Sequence, residues 1–211
     1  MAWAGAYAEG VSSSPVASRL RNGFSRDGFA LVAGMVALMW VSEVVDLAAD
    51  HRLDRLGIEP REVDGLTGVI AAPFLHLGFG HLIANTIPFV VLGLTIALSG
   101  LGRVLAVTAI VTLISGLGTW LIAPENTLHI GASGVVFGFA TYLLARGWYD
   151  RRLVNIAIAV VVAIVFGGVL LGGLLPERGI SWQAHLFGAI GGVVAARLLR
   201  TSPGVRQRQA A

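Results

Sequence analysis

Four polar residues at the starts of apolar segments could do chemistry together: Ser133, His185, His81 and Asn85. A serine hydroxyl becomes a useful nucleophile when a neutral imidazole within hydrogen-bond reach takes its proton. The tetrahedral adduct formed at a carbonyl then needs donors aimed at its oxyanion. Ser133 as nucleophile and His185 as base make an acyl-transfer pair, with His81, Asn85 and the Ser133 backbone N–H as oxyanion donors. The condition is that folding brings them together. His81 and Asn85 are four apart, so one helical face presents both. Ser133 lies among Gly131, Ala132 and Gly134, with Gly138 further on, and His185 is followed by Gly188 and Gly192. Two faces without side-chain bulk permit the close helix approach that Ser/His contact requires.

Each string also has a bland reading. G-x-S-G at a helix start is a common packing device, H-x-x-G-x-x-x-G places a hydrogen-bonded histidine on a packing face, and Asn85 can simply bridge helices. Joint occurrence separates the two readings. His129, His51 and the acidic residues of the first loop read as solvated or structural.

The elements that position these residues follow from composition. Of 211 residues, 55% are hydrophobic and 13% charged, with a mean hydropathy of +0.78. Soluble domains carry roughly twice that charge, so the chain belongs in a bilayer. Apolar runs predict six transmembrane helices, near 28–49, 81–99, 104–123, 131–148, 153–175 and 181–199. A polar stretch over 50–65 and a Pro- and Gly-interrupted stretch over 66–80 make a long, partly buried loop between the first two spans. The domain organisation is a tail over 1–27, one six-helix domain over 28–199 and a tail over 200–211. The first residues lack the basic and apolar regions of a removable signal peptide.

All fifteen basic residues are Arg, and they flank apolar runs rather than line an exposed face. They therefore read as topology signals, and nucleic acid is not an expected partner. With the N-terminus in the cytoplasm, eleven fall on inner segments and four (Arg52, Arg55, Arg61 and Arg178) on outer ones. This positive-inside bias puts both termini in the cytoplasm. His81, Asn85, Ser133 and His185 then all lie at the outer ends of even-numbered helices. The absence of cysteine excludes disulfides and thiolate metal sites.

On the strings H-L-G-F-G-H-L-I-A-N from His76 to Asn85, G-A-S-G-V-V-F-G from Gly131 to Gly138 and A-H-L-F-G-A-I-G-G from Ala184 to Gly192, the chain resembles the rhomboid family of intramembrane serine proteases. The resemblance spans essentially the whole six-helix core. It implies an all-α integral membrane bundle in which Ser133 and His185 form a catalytic dyad without a triad carboxylate. His81 and Asn85 stand in the oxyanion hole, and Gly131, Gly134 and Gly188 support the packing. It further implies that Phe137 packs on the catalytic histidine and that His76 helps hold the first outer loop. Many rhomboids carry a Trp-Arg pair in that loop, and the stretch from Arg61 to Pro73 has none.

The function implied is an intramembrane serine endopeptidase cleaving transmembrane protein substrates. It would work in a cell membrane, a bacterial inner membrane by the Arg-only usage, near the extracytoplasmic face and without cofactor or metal. A catalytically inactive rhomboid-like binder of membrane proteins is the alternative. A transporter fits less well, because no midplane polar site or internal repeat is visible. A zinc protease lacks its H-E-x-x-H string.

Overall fold

The computed structural model describes residues 15–177 and 179–200, with side chains from residue 26 onward. Residues 1–14 and 201–211 of the expected tails, and Arg178, Arg206 and Arg208, lie outside the described residues. Among those described there are seven helices and no strand: α1 (Pro15–Ala48), α2 (Gly68–Ala71), α3 (Phe79–Ala97), α4 (Leu101–Ile122), α5 (Ser133–Asp150), α6 (Leu153–Gly172) and α7 (Trp182–Leu198).

The long helices coincide with the six expected apolar runs, except that α1 begins at Pro15 and not near Gly28. Apolarity marks where a helix meets lipid and says nothing of where it starts. Proline is well suited to a first helical turn, and Gly23 is the strongest helix-disfavouring residue between Pro15 and Asp27. Asp50 and His51, both at φ 57°, turn the chain off α1. The long loop that follows is built of short turns, Leu53–Leu56, Asp64–Leu66, α2 and Ala72–Phe74. It is tucked in at Ile58, Val69, Ala72, Leu75 and His76, all buried.

Four stretches are long and apolar enough to cross a membrane: Arg26–Ala48, Phe79–Ala97, Leu101–Ile122 and Leu153–Gly172. By the same measure α5 and α7 fall short, α7 because it has 17 residues and α5 because it is less apolar, with Arg146 and Asp150 near its end. α5 buries eleven of its 18 residues, and its most extensive contact is with α7. A helix wrapped by protein need not be apolar on every face. α6 is the opposite case: two of its 20 residues are buried, and Leu153, Ile164 and Leu171 stand exposed as lipid-facing side chains do.

The approach of α5 to α7 depends on Gly188. A methyl group there would collide with the backbone carbonyl of Gly134 on α5, so any larger residue would push the helices apart. Across the same seam, the Thr141 hydroxyl donates to the Ala189 carbonyl at 2.9 Å. On the other side of α7, the Ser115 hydroxyl of α4 donates to the Ala184 carbonyl at 2.8 Å. Hydroxyl-to-carbonyl bonds of this kind hold helices together where no hydrophobic gain is available.

Candidate active site

The first residue of α5 and the fourth of α7 meet. Ser133 Oγ lies 2.8 Å from His185 Nε2. The other ring nitrogen, Nδ1, is 2.7 Å from the Gly173 carbonyl oxygen at the end of α6. A carbonyl can only accept, so Nδ1 carries the proton and Nε2 presents a lone pair to the serine hydroxyl. This is the tautomer a general base needs. Both ring nitrogens are thus accounted for, and neither partner is a carboxylate. The ring is clamped flat against Phe137, with centroids 4.0 Å apart and planes 8° from parallel. His185 itself is buried.

The remaining donors converge from the start of α3. The Leu77 N–H donates to His81 Nδ1 at 3.3 Å, which leaves the His81 proton on Nε2. Asn85, buried one turn on, donates from Nδ2 to the His81 carbonyl at 3.2 Å. Both side chains face the backbone two residues before Ser133: a β-carbon at Gly131 would lie 2.9 Å from His81 Nε2 and 3.7 Å from Asn85 Nδ2. Gly131 also has φ +117°, which side-chain-bearing residues rarely adopt. Glycine therefore lets the His81 ring lie against the backbone here, beside Asn85 Nδ2 and the first amides of α5, which lack intrahelical partners.

His76, buried, accepts from the Ala132 N–H at 3.4 Å through Nε2 and sets its ring edge-on to His81 at 5.1 Å. Burial, and secondarily the neighbouring His81, push its pKa down to about 4, so it is a neutral spacer behind the site. An open cavity of ≈ 700 Å³ spreads over Ser133, His185, His81 and Asn85 and reaches Trp182 and Leu128. A second cavity of ≈ 30 Å³ lies behind Ser133 against Ser115 and Ile130, with room for a water or two.

A sequence profile of the rhomboid domain matches residues 64–202, a stretch that carries every residue just described. The chain belongs to the rhomboid family. An uncharacterised protein of Mycobacterium tuberculosis is 47% identical over 180 residues, 82% of this chain and 75% of its own length. One from Mycobacterium leprae is 45% identical over 181 residues, covering 82% and 71%. A Bacillus subtilis chain, YdcA, provisionally assigned as a rhomboid protease, is 29% identical over 132 residues, covering 62% and 65%.

In this rhomboid the first long loop is held by residues that the sequence did not single out. Arg61 sends its guanidinium to the last carbonyls of α4, donating to Leu121 at 3.0 Å and Ala123 at 2.8 Å, and pairs with Glu125 at 3.1 Å. The Trp120 indole, on α4 itself, returns a bond to the Glu62 carbonyl at 2.8 Å. A tryptophan and an arginine thus fasten the loop, but from opposite sides of the contact, so no local pair appears in the string. Beside them Ile58 and His129 exchange backbone bonds of 2.9 and 3.0 Å. His129, whose pKa is lowered by burial, is accordingly structural, as expected. His51 is not simply solvated: it pairs with Asp46 at 3.0 Å.

Proposed function

We propose that this rhomboid is an intramembrane serine endopeptidase that cleaves transmembrane proteins through a Ser133–His185 dyad. The observation that carries this reading is the 2.8 Å contact between Ser133 Oγ and His185 Nε2, made with Nδ1 already committed to the Gly173 carbonyl. In the reaction, Ser133 Oγ attacks the scissile carbonyl while its proton passes to Nε2. The imidazolium keeps its Nδ1–H on Gly173 and stays stacked on Phe137. Negative charge on the carbonyl oxygen is met by His81 Nε2–H, Asn85 Nδ2–H and the Ser133 amide, donors already in place before reaction. The imidazolium then protonates the leaving amine, and water, deprotonated by His185, hydrolyses the acyl-enzyme.

The cellular setting belongs to the same proposal. The long helices form six membrane spans within a domain over 28–199, with both terminal tails cytoplasmic and the dyad near the extracytoplasmic face of a bacterial cell membrane. Support comes from the eleven-to-four arginine bias and from the four apolar stretches of spanning length. The shorter α5 and α7 would cross inside the protein, where lipid contact is least. Substrates are transmembrane protein segments that unwind to present an extended backbone to the cavity.

The test is reconstitution in liposomes with a rhomboid-type reporter. Wild type cleaves it and Ser133→Ala does not. Equal cleavage by both sinks the proposal, as does failure of wild type to react with a serine-directed fluorophosphonate, which is the behaviour of an inactive binder.

A further inference from the structure

Glu43, Asp46, His51 and Asp54 take no part in the site above, yet they gather where α1 ends and the first loop begins. One ligand atom from each of Asp46, His51 and Asp54 lies within 4.8 Å of the other two. His51 Nδ1 is 3.0 Å from Asp46 Oδ2 and 3.9 Å from Asp54 Oδ2. Asp46 is further oriented by the Leu53 N–H, 2.6 Å from its Oδ1.

Glu43 supplies a second, independent observation. It is 2% exposed, and its Oε2 is buried without a hydrogen-bond partner; Asp54 Oδ1 is buried and unpartnered as well. The strongest charge interaction of Glu43 is with Asp54, followed by Asp46 and His51. Two carboxylates thus crowd one imidazole with a third near enough to feel their charge, and Glu43 and Asp54 each keep an unmet oxygen shielded from water. Such an arrangement repels itself unless something positive stands between the oxygens.

We propose that Asp46, His51 and Asp54 bind a divalent cation, with the buried Glu43 carboxylate completing the charge around it. The 3.0 and 3.9 Å separations of the two carboxylates from His51 Nδ1 fit neighbouring ligands on one ion with bonds of about 2.0–2.2 Å. One imidazole among carboxylates favours Zn²⁺ or Mn²⁺ over Ca²⁺, which takes oxygen alone. The His51 side chain, 53% exposed, gives the ion its route from water. On binding, Nδ1 exchanges its hydrogen bond to Asp46 for the metal, and the ring proton moves to Nε2. The ion then ties α1 to the turn Leu53–Leu56 and, through the Gly78 backbone N–H that donates to the Glu43 carboxylate, to the start of α3.

The experiment is calorimetric titration of the full chain, purified in detergent and stripped with EDTA, with ZnCl₂ and separately MnCl₂. Wild type binds one equivalent and its Tm rises. Asp54→Asn and His51→Ala each weaken Kd by about a hundredfold or more, since loss of a ligand costs at least what loss of an outer-shell partner does, while Ser133→Ala leaves it unchanged. If stripping unfolds the chain, metal analysis of the protein as purified finds one equivalent, lost in Asp54→Asn. A chain that keeps its helical circular dichroism and shows no saturable binding of either ion overturns the site, as does binding that survives both substitutions. A proton shared by Glu43 and Asp54 then explains the cluster.

Discussion

Gly173 holds His185 through a carbonyl oxygen 2.7 Å from Nδ1, the place where a triad carboxylate would otherwise stand. A carbonyl fixes the tautomer without adding charge, which suits a ring desolvated among Phe137 and Gly173. Space there is tight: a β-carbon on Gly173 would lie 2.5 Å from the tip of Phe137 and 3.0 Å from Nδ1. Gly173→Ala is predicted to lower kcat about ten- to a hundredfold by shifting the base, with helical content unchanged. Adding Phe137→Leu, which vacates the colliding tip, restores part of the rate. Fluorophosphonate labelling rates of the single and double variants check this.

Removing the nucleophile separates chemistry from stability. Ser133→Ala is predicted to abolish reporter cleavage, a loss of about 10⁴-fold or more. Its Tm should move little, since one hydrogen bond contributes about 1 kcal/mol. Liposome cleavage and thermal unfolding of the same preparation distinguish this from misfolding.

The oxyanion donors should act on kcat more than on KM. His81→Ala and Asn85→Ala are each predicted to cost about 10²–10³ in kcat, because their N–H groups meet charge that exists only after attack. The double variant should lose less than the product of the two, since both donors flank Gly131. Full Michaelis curves in liposomes decide it; a change confined to KM assigns these residues to substrate binding instead.

His76 makes stability fall in mild acid. Its folded pKa, about 4, is below the ordinary value of 6.5, so between those values the unfolded chain binds the proton more readily. The contribution is whole above pH 6.5 and is lost as pH falls toward 4, amounting to at most about 3 kcal/mol. Thermal unfolding from pH 7 to 4.5 should show a decline that His76→Phe flattens, the phenyl ring keeping the bulk and discarding the titration.

Arg61 and Glu125 form an ion pair of unequal partners. Arg61→Ala removes two bonds to helix-end carbonyls and is predicted to destabilise by about 1–2 kcal/mol. Glu125 is 72% exposed, and Glu125→Ala should cost under about 0.5 kcal/mol. Denaturant or thermal midpoints of the two variants, with loop proteolysis as a second readout, test the difference.

The membrane class, the helix positions and the four polar residues were legible in the string, because lipid penalises polar groups enough that each one left in an apolar run stands out. The three rhomboid motifs were legible because each is one short continuous string at the start of a helix. Less could be read where partners come from distant segments. That Trp120 and Arg61 fasten the loop from opposite sides has no local signature, and neither does the pairing of His51 with Asp46 around the turn that ends α1. The start of α1 at Pro15 was hidden because polar helix and polar tail look alike in hydropathy. Only tertiary structure set the 2.8 Å separation of Ser133 and His185 and the tautomer that makes it useful. Both depend on how closely the glycine-lined faces of α5 and α7 pack and on where the Gly173 carbonyl comes to lie, and those are properties of three helices at once.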